Sequence, residues 1–152
     1  MTEFDSQNSF QIKRLIPSRR ERVFRAWTSA TELQKWWGIA DGESNVTAKV
    51  DLRVGGKFFL ETRTPKDALT SRITGTFLEI DPPRKIVYTW LGEGPMYDGF
   101  TLVSVEFHEQ GTSTEVLLTH EYFHTKKGRD GYLAGWEVIL NRLAKAVESA
   151  SI

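Results

Sequence analysis

The sequence predicts an α+β fold: a curved antiparallel sheet of about six or seven strands wrapped around a long C-terminal helix, with two short helices after the first strand. Three observations predict it. Strand-like segments follow one another from Ser44 to Phe123, mostly joined by short turns, which is how antiparallel neighbours connect. The last segment carries a single apolar stripe at helical spacing. Between the first strand and the rest stand two S-x-x-E helix starts, Ser18 to Glu21 and Ser29 to Glu32. A sheet and an amphipathic helix each bury one apolar face, and packing the two together satisfies both.

The elements follow in order. SFQIKRLI alternates, with Phe10, Ile12 and Arg14 against Gln11, Lys13 and Leu15, and Pro17 ends it. SRRERVFRAWT then opens on Ser18, and Val23, Phe24 and Trp27 share a helical face. The second short helix opens on Ser29 and sets Leu33, Trp36 and Trp37 to one side, with Gly38 just past its end. SNVTAKVDLRV is rich in β-branched residues, and Gly55-Gly56 supplies a hairpin turn to KFFLETRT. SRITGTFLEI is a strand whose interior Gly75 marks a bulge or a close approach. Its inner face is either Ile73 with Phe77 or Leu78 with Ile80. The turn DPPR leads to KIVYTWL, and the loop GEGPMYDG leads to FTLVSVEF, where Thr101, Val103, Val105 and Phe107 share a face. HEQGTS turns the chain into TEVLLTHEYF, and HTKKGRDG is a loop before the final helix, YLAGWEVILNRLAKAVES. There Tyr132, Trp136, Ile139, Leu140, Leu143 and Val147 fall at i, i+4, i+7, i+8, i+11 and i+15.

Length and composition narrow the function. At 152 residues the chain has the size of one domain, read as a polar leader over 1–9 and a single domain over 10–152. Twenty Lys and Arg balance twenty Asp and Glu, so no overall field draws the molecule to nucleic acid or an anionic membrane. Without cysteine there are no disulfides or thiolate metal sites. The opening MTEFDSQNS lacks the order of a secretory signal, and no apolar run approaches a membrane span. A cytoplasmic location is expected. Neither a G-x-S-x-G elbow nor a phosphate-cradling loop is present, so no cofactor is expected.

One motif needs a decision. HEYFH, His120 to His124, spells a zinc-hydrolase signature that works on a helix. On a strand, residues four apart stand about 13 Å from one another, too far to share one zinc. TEVLLT reads as a strand in which Val116, Leu118 and His120 alternate with Glu115, Leu117 and Thr119. A third ligand is also required; Glu137 or Glu148 on the long helix could be nominated, and nothing in their spacing singles them out. The expected reading is an accidental match, with zinc hydrolysis through His120, Glu121 and His124 as a remote alternative. His120 is then a hydrogen-bonded core residue or a ligand contact, and His108 and His124 are solvated.

RLIPSRRERVFRAWTSATELQKWWG, DLRVGGKF, GTFLEIDPPRKIVYTW and the GW near the start of the last helix resemble the family of the activator of heat-shock protein 90 ATPase, in particular its single-domain homologues. The likeness runs from about Phe10 to about Val147. It implies the helix-grip fold of the START-like superfamily, whose members typically hold lipids, polyketides, sterols or aromatic compounds between sheet and long helix. Such homologues usually have proline after WWG, where this chain has Ile39. The N-terminal domain that gives the eukaryotic activators much of their chaperone contact has no counterpart in these residues.

Five Trp, nine Phe and four Tyr fit either a filled core or a lined cavity. The cavity reading makes the chain a non-enzymatic binder of a small hydrophobic or aromatic molecule. Its walls would be Phe58, Leu60, Tyr88, Trp90, Val103, Val105, Val116, Leu118, Trp136 and Leu140, with His120 and Trp37 as polar or gating groups. The competing expectation is a protein-interaction module that modulates a chaperone ATPase or a stress response. A monomer or a weak homodimer paired through an edge strand fits either reading.

Overall fold

The chain runs β1 (Phe10–Ile16), α1 (Arg20–Thr28), α2 (Ala30–Trp36), β2 (Asn45–Val50), β3 (Lys57–Arg63), β4 (Leu69–Asp81), β5 (Lys85–Gly92), β6 (Thr101–Gln110), β7 (Ser113–Glu121) and α3 (Lys126–Ala150), in a computed structural model that describes residues 7–37, 45–93 and 99–150. The strands form one seven-stranded sheet in the order β1-β7-β6-β5-β4-β3-β2, antiparallel at every pairing. β1 and β2 are the edges, because the two short helices carry the chain from one side of the sheet to the other.

Strand periodicity puts alternate residues on the inner face. Phe10, Ile12, Arg14 and Ile16 stand opposite His120, Leu118, Val116 and Thr114, and Ile86 and Tyr88 stand opposite Val105 and Val103. Against this face packs the predicted stripe of α3, with Tyr132, Trp136, Ile139, Leu140, Leu143 and Val147 all buried. α1 closes one end through Phe24 and Trp27, whose rings lie 5.4 and 5.9 Å from that of Phe107. The Arg142 Nε donates to the Trp36 carbonyl at 3.1 Å and ties α3 to α2.

The ambiguous face of β4 resolves to Ile73 and Phe77, both buried, with Leu78 half exposed. Gly75 marks a close approach, as expected. A Cβ there would overlap the Thr89 carbonyl oxygen and the Phe58 ring. The β6–β7 turn is tighter than the sequence predicts. Gln110 pairs with Ser113, so only Gly111 and Thr112 turn, and Gly111 takes φ +62°.

Two helix starts differ from expectation. Ser18 does not cap α1: the N-cap is Arg19, with no side-chain cap bond. The Ser18 carbonyl instead accepts from the Thr114 hydroxyl, fixing Ser18 to the sheet one residue too early. Ser29 does cap α2, its oxygen accepting from the Glu32 amide at 3.4 Å. α3 begins at Lys126, within the predicted loop HTKKGRDG. Thr125 is the missed cap, its hydroxyl accepting from the Gly128 amide at 2.9 Å. Two glycines made this turn look like loop, but an exposed glycine costs a helix only about 1 kcal/mol. The expected end of α2 at Gly38 and the departure at Ile39 lie outside the described residues.

Candidate functional site

All five tryptophans converge in the space between sheet and helices. α1 delivers Trp27, α2 Trp36, the residue after α2 Trp37, β5 Trp90 and α3 Trp136. Trp90 and Trp136 have ring centroids 5.2 Å apart, Trp37 lies 5.9 Å from Trp90 and 5.5 Å from Trp136, and Trp27 stacks on Trp136 at 5.9 Å. Buried indoles need acceptors. Trp36 finds the Ala26 carbonyl at 2.8 Å, Trp27 the Tyr88 hydroxyl at 3.2 Å, and Trp136 the His120 ring at 3.1 Å. Trp90 Nε1 has none among the described residues, although it is fully buried.

His120 is the polar centre of this cluster. An indole N–H can only donate, so His120 Nδ1 accepts from Trp136 and the ring proton sits on Nε2. Nε2–H then donates to the Thr101 hydroxyl at 2.7 Å, and that hydroxyl donates to the Trp90 carbonyl at 3.2 Å. The chain of donors runs one way and leaves His120 neutral. Burial lowers its pKa from 6.5 to about 3. A second proton on Nδ1 would also face the Trp136 N–H donor-to-donor. Phe10, Phe123 and Tyr132 pack around the ring.

A small cavity lies beside the cluster, under α2 and the β2–β5 half of the sheet. Phe58, Leu60, Tyr88 and Trp37 line it, together with Trp27, Leu33, Val50, Phe77 and Ile86, which are not among the wall residues expected from the sequence. Trp27 and Leu33 were legible as apolar faces of the short helices, but nothing local showed which space they would close. The cavity holds about 20 Å³, enough for a water and far below the 300–1,000 Å³ typical of ligand pockets. Tyr88 is its one hydroxyl: the oxygen accepts from Trp27, and burial raises the phenol pKa. Val103, Val105, Val116, Leu118 and Leu140 also point inward but lie in solid packing, each completely buried and away from the cavity lining. Trp90, Trp136 and His120 are buried as well and do not line the cavity.

The HEYFH segment is not helical. β7 continues through Glu121, and Tyr122 takes φ +71°, which swings the chain away. Both nitrogens of His120 are engaged, and the exposed His124 meets the Phe100 carbonyl through Nε2 at 3.3 Å. Among the described residues no three His, Cys, Asp or Glu stand close enough to hold a metal ion. The remote zinc alternative therefore has no site there.

The outer face of the sheet carries a broad open groove of about 520 Å³. Lys49, Lys57, Phe59, Leu91 and Phe100 border it, and Phe100 is 67% exposed. No helix of the described residues is long and apolar enough to cross a membrane.

Comparison with known proteins places this geometry. The family described as "Activator of Hsp90 ATPase homolog 1-like protein" matches residues 17–148. A Chromobacterium violaceum protein of known crystal structure shares 22% identity, with 93% of this chain and 97% of that one aligned at a TM-score of 0.80. An Aeromonas hydrophila protein solved by NMR and described as AHSA1-like shares 26% identity over 94% of each chain, with a TM-score of 0.79. CalU16 from Micromonospora echinospora shares 24% identity over 91% of this chain and 75% of its own, with a TM-score of 0.71. No curated protein matches the sequence.

Proposed function

Because the chain belongs to the family of Activator of Hsp90 ATPase homolog 1-like proteins, we propose that it is a non-catalytic binder of a small apolar or aromatic molecule between sheet and C-terminal helix. The cavity beside Trp37 carries this reading. At about 20 Å³ it is the closed form of a site, so a ligand enters only by displacing a side chain. Trp37 is suited to give way. It follows the last turn of α2, lines the cavity, and is held there by ring packing on Trp36, Trp90 and Trp136. Exposing a large aromatic side chain costs about 1.5–3 kcal/mol, and an incoming ring that fills the vacated space recovers the same apolar burial.

Titration with neutral aromatic and aliphatic compounds, followed by tryptophan fluorescence and melting temperature, tests the reading. A binder shifts both. A Trp37→Ala variant has its site already open and gains affinity, since apparent Kd falls as the competent fraction rises. If no compound moves either signal in wild type or variant, the interior is a filled core and the proposal fails.

The outer groove favours a second reading, a protein-interaction module acting on a chaperone ATPase, in line with the family's description. A chaperone ATPase assay with wild type and Phe100→Ser decides it. No stimulation by wild type removes this reading and leaves the first untouched.

A further inference from the structure

The two ends of the interior differ in polarity. At the end where β3 finishes, β4 begins, β5 finishes and β6 begins, the inward positions include Thr62, Ser71, Trp90 and Thr101, with Leu60 and Ile73 between the first two and Trp90. The register sets Thr62 opposite Ser71 and Trp90 opposite Thr101, with His120 beyond on β7. At the other end the inward positions are Phe77, Ile86, Val105 and Phe107, and Phe58 stands in the row of Trp90, its ring 6.2 Å away. Thr101 and His120 satisfy each other within the polar group. Trp90 Nε1 is left over, buried with no hydrogen-bond partner among the described residues; the Thr62 hydroxyl is likewise unpaired but stands apart from it, four residues beyond Phe58 on β3. Native interiors pair nearly all such groups, and one left unpaired costs about as much as a lost hydrogen bond.

We infer that the space beside Trp90, which Trp37 now fills, is a subsite for an oxygen acceptor on an uncharged ligand, with the Trp90 indole N–H as its anchoring donor. The inference rests on the ligand-binding reading above and adds the ligand's chemistry. An indole N–H can only donate, so the matching atom is an acceptor: a carbonyl, ether or hydroxyl oxygen. The ligand is uncharged because nothing among the described residues there would balance a charge. The buried polar side chains of the described residues are hydroxyls and His120. His120 has both ring nitrogens committed and is neutral. A carboxylate drawn into this space would be a buried charge without a partner, which is far costlier than an uncharged oxygen. The surrounding rings of Trp37, Trp136 and Tyr132 fit a planar aromatic body on the same molecule.

Three matched probes test this: benzophenone, diphenylmethane and 4-benzoylbenzoate share two phenyl rings and differ in the carbonyl and the charge. Each is titrated at pH 7 by calorimetry and by the five indole N–H resonances of the 15N-labelled protein. The ketone is expected to bind at least tenfold more tightly than diphenylmethane, despite being the more water-soluble, and tenfold more tightly than the benzoate. It should move the Trp90 resonance downfield and leave that of Trp36, already bonded to Ala26, in place. Trp90→Phe, used only if its circular dichroism matches wild type, should abolish the ketone's advantage. Equal binding of diphenylmethane or of the benzoate overturns the inference while leaving the ligand-binding function standing. A Trp90 resonance unmoved by a ketone that does bind also overturns it, the N–H then being satisfied by an ordered water. If none of the three binds, both the inference and the aromatic-ligand reading fall.

Discussion

Acidification should unfold this protein through His120. In the folded chain its pKa is lowered to about 3 by burial, against 6.5 for a free histidine. Between these values the unfolded state binds a proton that the folded state refuses, so stability rises with pH across the window. The contribution is complete above about pH 6.5 and is lost progressively as the pH falls towards 3. The slope approaches about 1.4 kcal/mol per pH unit, and from pH 7 to pH 5 the loss is about 2 kcal/mol. The assay is urea denaturation of wild type and His120→Gln at pH 7, 6 and 5. Other titrating groups are common to both proteins and cancel in the difference. The variant starts less stable, by about 1–3 kcal/mol for disturbing the Trp136 and Thr101 bonds, but should lose about 2 kcal/mol less on acidification. In wild type the His120 ring resonances should not titrate between pH 7 and 5. Parallel stability curves, or a ring that titrates near 6.5, would refute the neutral, doubly bonded histidine.

Other perturbations probe separate parts of the fold. Gly75→Ala should destabilise by about 1–3 kcal/mol, because its Cβ meets the Thr89 carbonyl as well as the Phe58 ring. Adding Phe58→Ala should not rescue it, since the backbone oxygen remains; thermal melts of the single and double variants decide this. Ser29→Ala should cost about 0.5–1 kcal/mol through the lost α2 cap, and Ser18→Ala less than about 0.5 kcal/mol, by urea midpoint. Zinc or a chelator should leave the melting temperature unchanged, because His120 offers no free nitrogen.

Periodicity made the architecture readable, and geometry beyond the sequence made the site unreadable. The α3 stripe and the inward faces of β6 and β7 follow from spacing alone, since a residue's own neighbours decide which way it points. Ser18 shows the first failure. It has the spelling of a cap, but its carbonyl is claimed by Thr114, 96 residues away. Trp27 and Leu33 show the second. Each was visibly apolar, yet which space they close depends on where α1 and α2 land across the sheet. The third is polarity: His120 was legible as an inward histidine, while its acceptors and donors come from β6 and α3. Trp90 read as one more wall residue, and only the full set of partners shows that its N–H lacks one.

Thr62 allows the cost of that arrangement to be measured without any ligand. A threonine and a valine have nearly the same shape, so Thr62→Val exchanges a buried hydroxyl for a methyl with little repacking. Were the hydroxyl satisfied, the exchange would break a hydrogen bond and destabilise by about 1 kcal/mol. Because it has no partner among the described residues, the variant should instead be more stable in urea, by about 1–2 kcal/mol. A destabilised Thr62→Val would show that the hydroxyl is already satisfied.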